Sequence, residues 1–437
     1  MNIRIRVNAE TGGCVLSWKV NNLMYAAGPA MQGTIRIRIE LTEPVNRQAL
    51  EQAARKTAER FPYFAVKMAR KGAEYVFEPN DRPFVISPEG RCVTLGTEES
   101  NHHMFAFAYD GNRMYVDGSH YITDGTGVFP FFKTMLYYYL SVMHPDEAFD
   151  TETIALAGRE VPEAEMEDDP YPPEPLPETP IGGNARPEKV FMLRNQPQGY
   201  EHADEWTSFV FTISQKDMMS YASSLDGSPA TFIATLMYKA ITECHPDNRL
   251  PIVCGMQHQF RKALKKPYSH LCHVNVAPII YPDQLRNRDV ELLNTIGRGS
   301  LLILTDDEND VLTINRHVRN EQAIRGTTIE EKRKYMRREI LDGIGENTFE
   351  VSYTGRVPWS GLDKYVRNVV PYFDMTVSGG LSIEIFSVRD VFSINIMQRN
   401  DDRKYVERFS ALLKEFRISF EEEKGERFGL CGFRVPG

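Results

Sequence analysis

The chain lacks any apolar run near the ~18 residues that a membrane helix needs. Its opening, MNIRIRVNAE, has no apolar signal segment. Positive charge is in deficit, with 51 Lys and Arg against 60 Asp and Glu and a formal net charge of -9. That balance argues against a nucleic-acid partner but leaves room for a local basic patch facing phosphate. Cysteine is sparse and scattered: the six stand at positions 14, 92, 244, 254, 272 and 431, and none forms a Cys-x-x-Cys pair. A zinc knuckle or dithiol redox motif is therefore not signalled, and buried thiols are the expectation. No Gly-x-Gly-x-x-Gly fingerprint supports a dinucleotide fold. Together these features predict a soluble, cytoplasmic, reduced protein with no membrane span and no metal.

What is present is core-forming material. The 437 residues are 42% hydrophobic and 25% charged, with 24 Phe and 20 Tyr. A chain this long exceeds one typical domain and suggests two. Both halves mix strands with long amphipathic helices. In GTIRIRIEL apolar and basic residues alternate, as in a strand with one wet face. The following EPVNRQALEQAARKTAERFPYF is a helix capped by Asn46 and stopped by Pro62. MFAFAYDGNRMYVDG reads as a hairpin turning at Asp110-Gly111, and GVFPFFKTMLYYYLSV as a helix buried on most sides.

Between Glu160 and Pro180 lie eight acidic residues and seven prolines, with no Lys or Arg. Such a stretch cannot close helix or sheet ladders. Residues 159–185 are thus an expected exposed crossover between a lobe at 1–158 and a lobe at 186–437. In the second lobe TSFVFTI, PIVCGMQ, HVNVAPI, SLLILT and TFEVSYTG are strand candidates. SQKDMMSYASSLDG, SPATFIATLMYKAIT, IEEKRKYMRREIL and DDRKYVERFSALLKEF are helices, and LSIEIFSVRDVFSINIMQ is a hairpin. TDDENDV lacks the Gly and distal Glu of a calcium loop and reads as a solvated turn.

YVDGSHYITDGTG joins the first hairpin to the aromatic helix and contains His120, Asp124 and Gly125. A neutral imidazole is the usual general base near neutral pH, and it works best fixed at the end of rigid strands. Asp124 can orient the ring, or hold the loop through an arginine. Gly125 can take a backbone shape that other residues resist. The bland alternative is a pair of ordinary Asp-Gly turns.

HYITDG matches the His-x-x-x-Asp-Gly motif, and with the stretches around it the chain resembles the chloramphenicol acetyltransferase-like and condensation-domain superfamily of acyltransferases. IELTEPVNRQALEQAARKTAERFPYF resembles the family's opening strand and helix. DGSPATFIATLMYKAIT resembles the helix that opens its second half. PIVCGMQHQFR is similar to the strand that carries a family arginine, and VSYTGRV to the late stretch near the reaction centre. These span most of the chain in the family's order. Alcohol acetyltransferase-like members are nearest, because Ser119 precedes His120 where condensation domains often double the histidine, and the plant enzymes' Asp-Phe-Gly-Trp stretch is absent.

The resemblance implies an α/β fold of two lobes, each a mixed sheet backed by helices, with an active-site tunnel between them. It implies a coenzyme A-dependent O- or N-acyltransferase. His120 would act as general base, passing an acyl group, acetyl in the simplest case, from acyl-coenzyme A to a small alcohol or amine. Acyl-coenzyme A would be a co-substrate, with no permanently bound cofactor. Transfer would be direct; the absence of Gly-x-Ser-x-Gly agrees with this. Asp124 would be mainly structural, paired with Arg261, or with Arg356 in reserve. Ser352, Tyr353 and Gly355 are candidate oxyanion donors, and Tyr353 stands where many relatives have Asn. Lys262, Lys265 and Lys266 are candidates for the coenzyme A phosphates, or else a solvated loop. The chain is expected to act as a monomer. An acyl carrier protein is the alternative donor partner, and a catalytically inactive binding or scaffold relative is the second alternative. His102, His103, His270 and His273 are spaced as poor chelators on strands, and His258 either lines the tunnel or ends a strand in solvent.

Overall fold

The computed structural model describes residues 18–436 apart from 29–30, 167–170, 180–185, 194–205, 225–226, 345–346, 374–378 and 400. In the first part of the chain run β1 (Trp18–Lys19), β2 (Thr34–Leu41), α1 (Arg47–Arg60), β3 (Val66–Lys71), β4 (Glu74–Pro79), β5 (Ile86–Ser87), β6 (Phe105–Asp110), β7 (Arg113–Ser119) and α2 (Gly125–Met143). Then come β8 (Trp206–Ser214), α3 (Gln215–Ser224), α4 (Pro229–Cys244), β9 (Ile252–Gln259), β10 (Val274–Tyr281), α5 (Val290–Leu304), α6 (Asp307–Ile324) and α7 (Ile329–Ile344). β11 (Phe349–Tyr353), β12 (Val366–Phe373), β13 (Leu381–Val388), β14 (Val391–Gln398), α8 (Lys404–Glu415), β15 (Phe420–Glu422) and β16 (Glu426–Phe428) complete the chain.

Local chemistry sets the ends of these elements. The Asn46 side chain accepts from Ala49 N at 3.0 Å and starts α1. Ser228 and Thr231 form a reciprocal capping box on α4, whose first residue is Pro229. Gly111, with φ +56°, turns β6 into β7, and Arg389, with φ +51°, turns β13 into β14. SLLILT, expected as a strand, lies in the last turns of α5. Leu302 and Ile303 are 56% and 50% exposed there, so the apolar run is a partly wet helix and not a buried strand. TDDENDV is likewise no free turn: Asp306 accepts from Glu308 N and caps α6.

The strands assemble into three sheets. A five-stranded sheet has the order β12-β2-β7-β6-β5, and an eight-stranded one runs β10-β9-β11-β13-β14-β8-β15 with β16 also on β8. A small third sheet has the order β1-β4-β3. In the five-stranded sheet Leu50 and Ala53 of α1 and Phe131 and Leu136 of α2 share one core with Ile39, Phe105 and Phe107. In the eight-stranded sheet α4 and α8 cover one face, where Leu236, Ile241, Phe409 and Leu413 meet Val351, Ile383, Ile385 and Ile394. Strand alternation turns Gln257, Glu350, Ser352, Glu384 and Phe386 to the opposite face.

Sequence order and lobe membership part company at β12. This strand comes from the last quarter of the chain, yet it pairs with β2 from Val366↔Leu41 to Phe373↔Ile35 and closes the edge of the five-stranded sheet. β2 also lacks the wet face its alternation suggested. Arg38 is 1% exposed and paired with Glu423 at 2.6 Å, and Arg36 holds Asp117 at 2.7 Å. The returning C-terminal segment covers that face. The acidic crossover is anchored as well. Glu165 receives Arg60 at 2.6 Å and the Tyr63 hydroxyl at 2.7 Å. Tyr171 is buried among Phe260, Leu264, Ile314 and Val318. Its residues 167–170 and 180–185 lie outside the described residues.

Candidate active site

β7 ends at Ser119, and His120 opens the turn that leads into α2. Its backbone N–H donates to Gly33 O at 2.6 Å, which fixes the turn against the residue that leads into β2. Asp124 is the N-cap of α2: Oδ1 accepts from Gly127 N at 2.9 Å. The same oxygen accepts from Arg261 Nη2 at 2.8 Å, while Oδ2 accepts from His273 N at 2.8 Å. The carboxylate is 3% exposed. Burial alone would favour its neutral form, but Arg261 and the backbone donors outweigh that and hold its pKa below the ordinary aspartate range. Arg261 is anchored in turn, with Nε donating to Ser269 O at 2.8 Å and Nη2 to Leu271 O at 2.7 Å. Arg356 is exposed in the segment after β11. Asp124 therefore ties the His120 turn to the strand pair β9–β10 rather than to the imidazole.

The imidazole has other neighbours. Cys272 Sγ lies 3.5 Å from His120 Nδ1, and the Phe373 ring meets the histidine edge-on at 5.0 Å between centroids. Burial pushes the Cys272 thiol up to about 12, so it stays neutral.

Two cavities open onto this ring. The first, about 150 Å³, is walled by His120, Asp124, Gly125, Thr126, Ser352, Tyr353, Thr354 and Glu384, with Phe129, Phe132 and Phe386 for an apolar side. His258 is also on its wall, its Nε2 bonded to Asp310 Oδ1 at 2.6 Å. The second, about 200 Å³, is walled by His120, Cys272, Arg186, Arg316, Glu339 and Glu350 among others. His120, Gln257, Val274 and Phe373 belong to both.

Glycine matters here through space. Gly125 has no left-handed φ, contrary to expectation, and a Cβ on it would stand 3.3 Å from Thr354 Oγ1. The tighter place is Gly127, where a Cβ would fall 2.2 Å from His270 O. Among the oxyanion candidates Ser352 and Tyr353 line the first cavity, with Ser352 in register with Glu384 across β11 and β13. Gly355 lines neither cavity; it has φ +88° and receives Ser387 Oγ at 3.5 Å. Lys262 is exposed and paired with Asp307 at 2.7 Å, Lys265 is exposed, and Lys266 is partly buried. None of these lysines lines either cavity.

Four more histidines considered as ligands, His102, His103, His270 and His273, are engaged as hydrogen-bonded side chains. His102 and His103 meet Glu98 and Arg82 O, while His270 and His273 meet Tyr63 and Ser269.

Two carboxyl groups on the walls went unremarked in the sequence. Burial pushes Glu350 up to about 7 and Glu384 up to about 8. A lone Glu inside each apolar strand, TFEVSY and LSIEIF, was the available signal, since buried carboxyls seldom sit in such runs without a task. Cys272, Gln257, Thr354 and Phe373 left no comparable mark.

No family model matches the sequence, and no curated protein does. Solved structures do. TRI101 of F. graminearum, complexed with coenzyme A and deoxynivalenol, aligns with a TM-score of 0.61 at 12% identity, over 93% of this chain and 99% of that one. Polyketide synthase associated protein 5 from Mycobacterium tuberculosis aligns at 0.57 and 11%, over 91% and 96%. This is the chloramphenicol acetyltransferase-like fold. The condensation domain of Monacolin K polyketide synthase MokA shares it at 0.54 and 10%, over 92% and 98%. The two-lobed α/β architecture expected from the sequence is the one observed. No described helix is long and apolar enough to cross a membrane.

Proposed function

We propose that this chain is an acyltransferase that moves an acyl group, acetyl in the simplest case, from acyl-coenzyme A to a hydroxyl or amine of a small acceptor. The observation that carries this reading is the place of His120 in the walls of two cavities at once. A thioester carbonyl arriving from one side and a nucleophile from the other meet at a single imidazole.

The chemistry follows from the neighbours. A neutral Cys272 thiol beside Nδ1 adds no charge to the ring, and in the tautomer whose Nδ1–H donates to Sγ the basic nitrogen is Nε2. The acceptor O–H or N–H gives its proton to Nε2 as its heteroatom bonds to the thioester carbon. The resulting tetrahedral oxyanion calls for a donor about 3 Å away, and Ser352 or Thr354 supplies a hydroxyl on that wall. Collapse breaks the C–S bond, and the imidazolium returns the proton to the departing thiolate. No acyl-enzyme is formed, and no resident metal or cofactor enters the scheme. Asp124 and Arg261 act by holding the turn.

The complexes of the TRI101 proteins with coenzyme A, ethyl coenzyme A and mycotoxins support a coenzyme A donor on this fold. A carrier-protein donor is the second reading, favoured by the condensation domain of MokA on the same fold. The test is thiol release from acetyl-coenzyme A by the purified protein across alcohols and amines, with an acceptor-free control for hydrolysis. General-base catalysis is worth roughly 10²–10⁴-fold, so His120→Ala should lose about that much while its melt is unchanged. Equal rates for the two proteins would defeat the proposal.

A further inference from the structure

Two cysteines outside both cavity walls meet although they are far apart in sequence. The Sγ atoms of Cys92 and Cys431 and a carboxylate oxygen of Asp117 all lie within 4.8 Å of one another. Cys92 stands between β5 and β6 and is half-buried, while Cys431 follows β16 and is buried. Asp117, on β7, is buried too, and it receives Arg36 Nε at 2.7 Å and Nη2 at 3.2 Å.

The backbones around the two thiols are already joined. Cys92 Sγ lies 3.6 Å from Gly429 O. Leu95 N donates to Gly432 O at 2.7 Å, and Arg434 N to Leu95 O at 3.1 Å. Residues 429–434 thus run as a strap along 92–95, and Leu95 and Phe433 pair as in a parallel bridge. Neighbouring strands are spaced within the Cα separation that a disulfide spans. A change of χ1 well at the cysteines brings the sulfurs together. A metal is the competing occupant of two thiols and a carboxylate. It fits less well, because Asp117 already carries the Arg36 guanidinium, and three donors leave a tetrahedral zinc short of its fourth.

We infer that Cys92 and Cys431 form a disulfide when the protein meets a peroxide, stapling the 429–434 strap to the segment between β5 and β6. Cys92, the more accessible thiol, gives its proton to solvent, and its thiolate takes one peroxide oxygen. A sulfenic acid and one water result. The Cys431 sulfur then bonds to the Cys92 sulfur, and its proton leaves by way of Asp117 with the sulfenic oxygen as a second water. Two thiols are oxidised and one peroxide is reduced. Burial holds the Cys431 thiol well above its ordinary range, so it is the sulfur that closes the bond and not the one attacked first. The strap also touches the site. The Phe433 ring meets Tyr121, the neighbour of His120, at 5.9 Å between centroids, and Phe433 N donates to Gln32 Oε1 at 2.7 Å. The staple fixes this packing whether or not the acyltransfer reading holds.

The test treats the full chain, stripped of metal with EDTA, with a few equivalents of hydrogen peroxide. Remaining thiols are capped with N-ethylmaleimide, and trypsin digestion follows without reductant. Cleavage after Arg91, Arg113, Arg427 and Arg434 releases residues 92–113 and 428–434, each with one cysteine. Mass spectrometry should find these two peptides joined, lighter than their sum by two hydrogens, and separate again after dithiothreitol. Cys92→Ser and Cys431→Ala should each abolish the joined species. Cys244→Ser should keep it, since Cys244, equally half-buried, is bonded to Lys404 O instead. The oxidised wild type should melt about 2–5 °C above the reduced form, a shift absent from Cys92→Ser. A joined species without that shift overturns the staple. Oxidised wild type in which both thiols still take the maleimide, or in which Cys92 advances unjoined to a sulfinic acid, overturns the inference. So does a parallel arm in which one equivalent of zinc shields both thiols from the maleimide, which would assign the cluster to a metal.

Discussion

Replacing Asp124 by asparagine separates a structural carboxylate from a chemical one. The native group is fully engaged: Arg261 Nη2, Gly127 N and His273 N each lie 2.8–2.9 Å from its oxygens. Asparagine keeps one acceptor but turns an NH₂ towards a donor and removes the charge opposite Arg261, which is 2% exposed. Stranding one partner of a buried pair costs about 3–5 kcal/mol. Unfolding entropy of about 2.1 cal/mol/K per residue, taken over 437 residues, gives about 0.9 kcal/mol/K. The melting temperature should therefore fall by about 3–5 °C if the chain melts as one unit. The acid limb sharpens the test. Because the folded pKa of Asp124 is depressed, its contribution is complete above the unfolded value of about 3.9 and is lost as pH falls through the folded value. The gap between wild type and Asp124→Asn should thus be full at neutral pH and close in strong acid. Calorimetric melts from neutral pH into strong acid, below the ordinary aspartate range, run beside the thiol-release assay at neutral pH, measure both arms. A variant that melts within 1 °C of wild type yet is as inactive as His120→Ala would refute the structural account.

Three further outcomes follow from the same neighbourhood. Gly127→Ala puts a Cβ 2.2 Å from a backbone oxygen, so it should destabilise by roughly 1–3 kcal/mol, more than Gly125→Ala, as urea melts would show. Glu384 binds a proton in the folded chain up to about 8. Wild-type stability should therefore fall as pH rises from the unfolded value of about 4.3 towards that value, and Glu384→Gln should flatten the slope across this window. Cys272→Ser gives Nδ1 a stronger partner than the thiol and should shift the pH–rate profile, whereas Cys272→Ala should lower kcat with less effect on the KM for acetyl-coenzyme A. Profiles identical for all three proteins would show that Cys272 only fills space.

Much of this was readable residue by residue. Asn46, Ser228 and Pro229 announce helix starts because capping is a local reaction between a side chain and the next turn. The hairpin ahead of His120 follows from strand alternation and a turn residue that accepts positive φ. Periodicity could not place SLLILT, because four consecutive apolar residues suit a strand or a helix end equally well. The contacts that make the site were illegible for a different reason. His120 meets Cys272 across 152 positions, and Asp124 meets Arg261 across 137. No spacing rule reaches that far. The family motif supplied Arg261 as a candidate, but nothing local marks Cys272 or Phe373 as neighbours of the imidazole.

The pairing of β12 with β2 has a consequence for biosynthesis. The outer edge of β2 ends at Leu41, and its partner begins at Val366. At about 5–20 residues per second a ribosome needs roughly 16–65 s to make the intervening chain. For that interval the nascent protein carries an unpaired strand edge of the kind that recruits other chains. Fragments cut at the proline-rich crossover would keep that edge permanently. Aggregation of such truncations, and a dependence of yield on chaperone supply, are the practical marks this arrangement should leave.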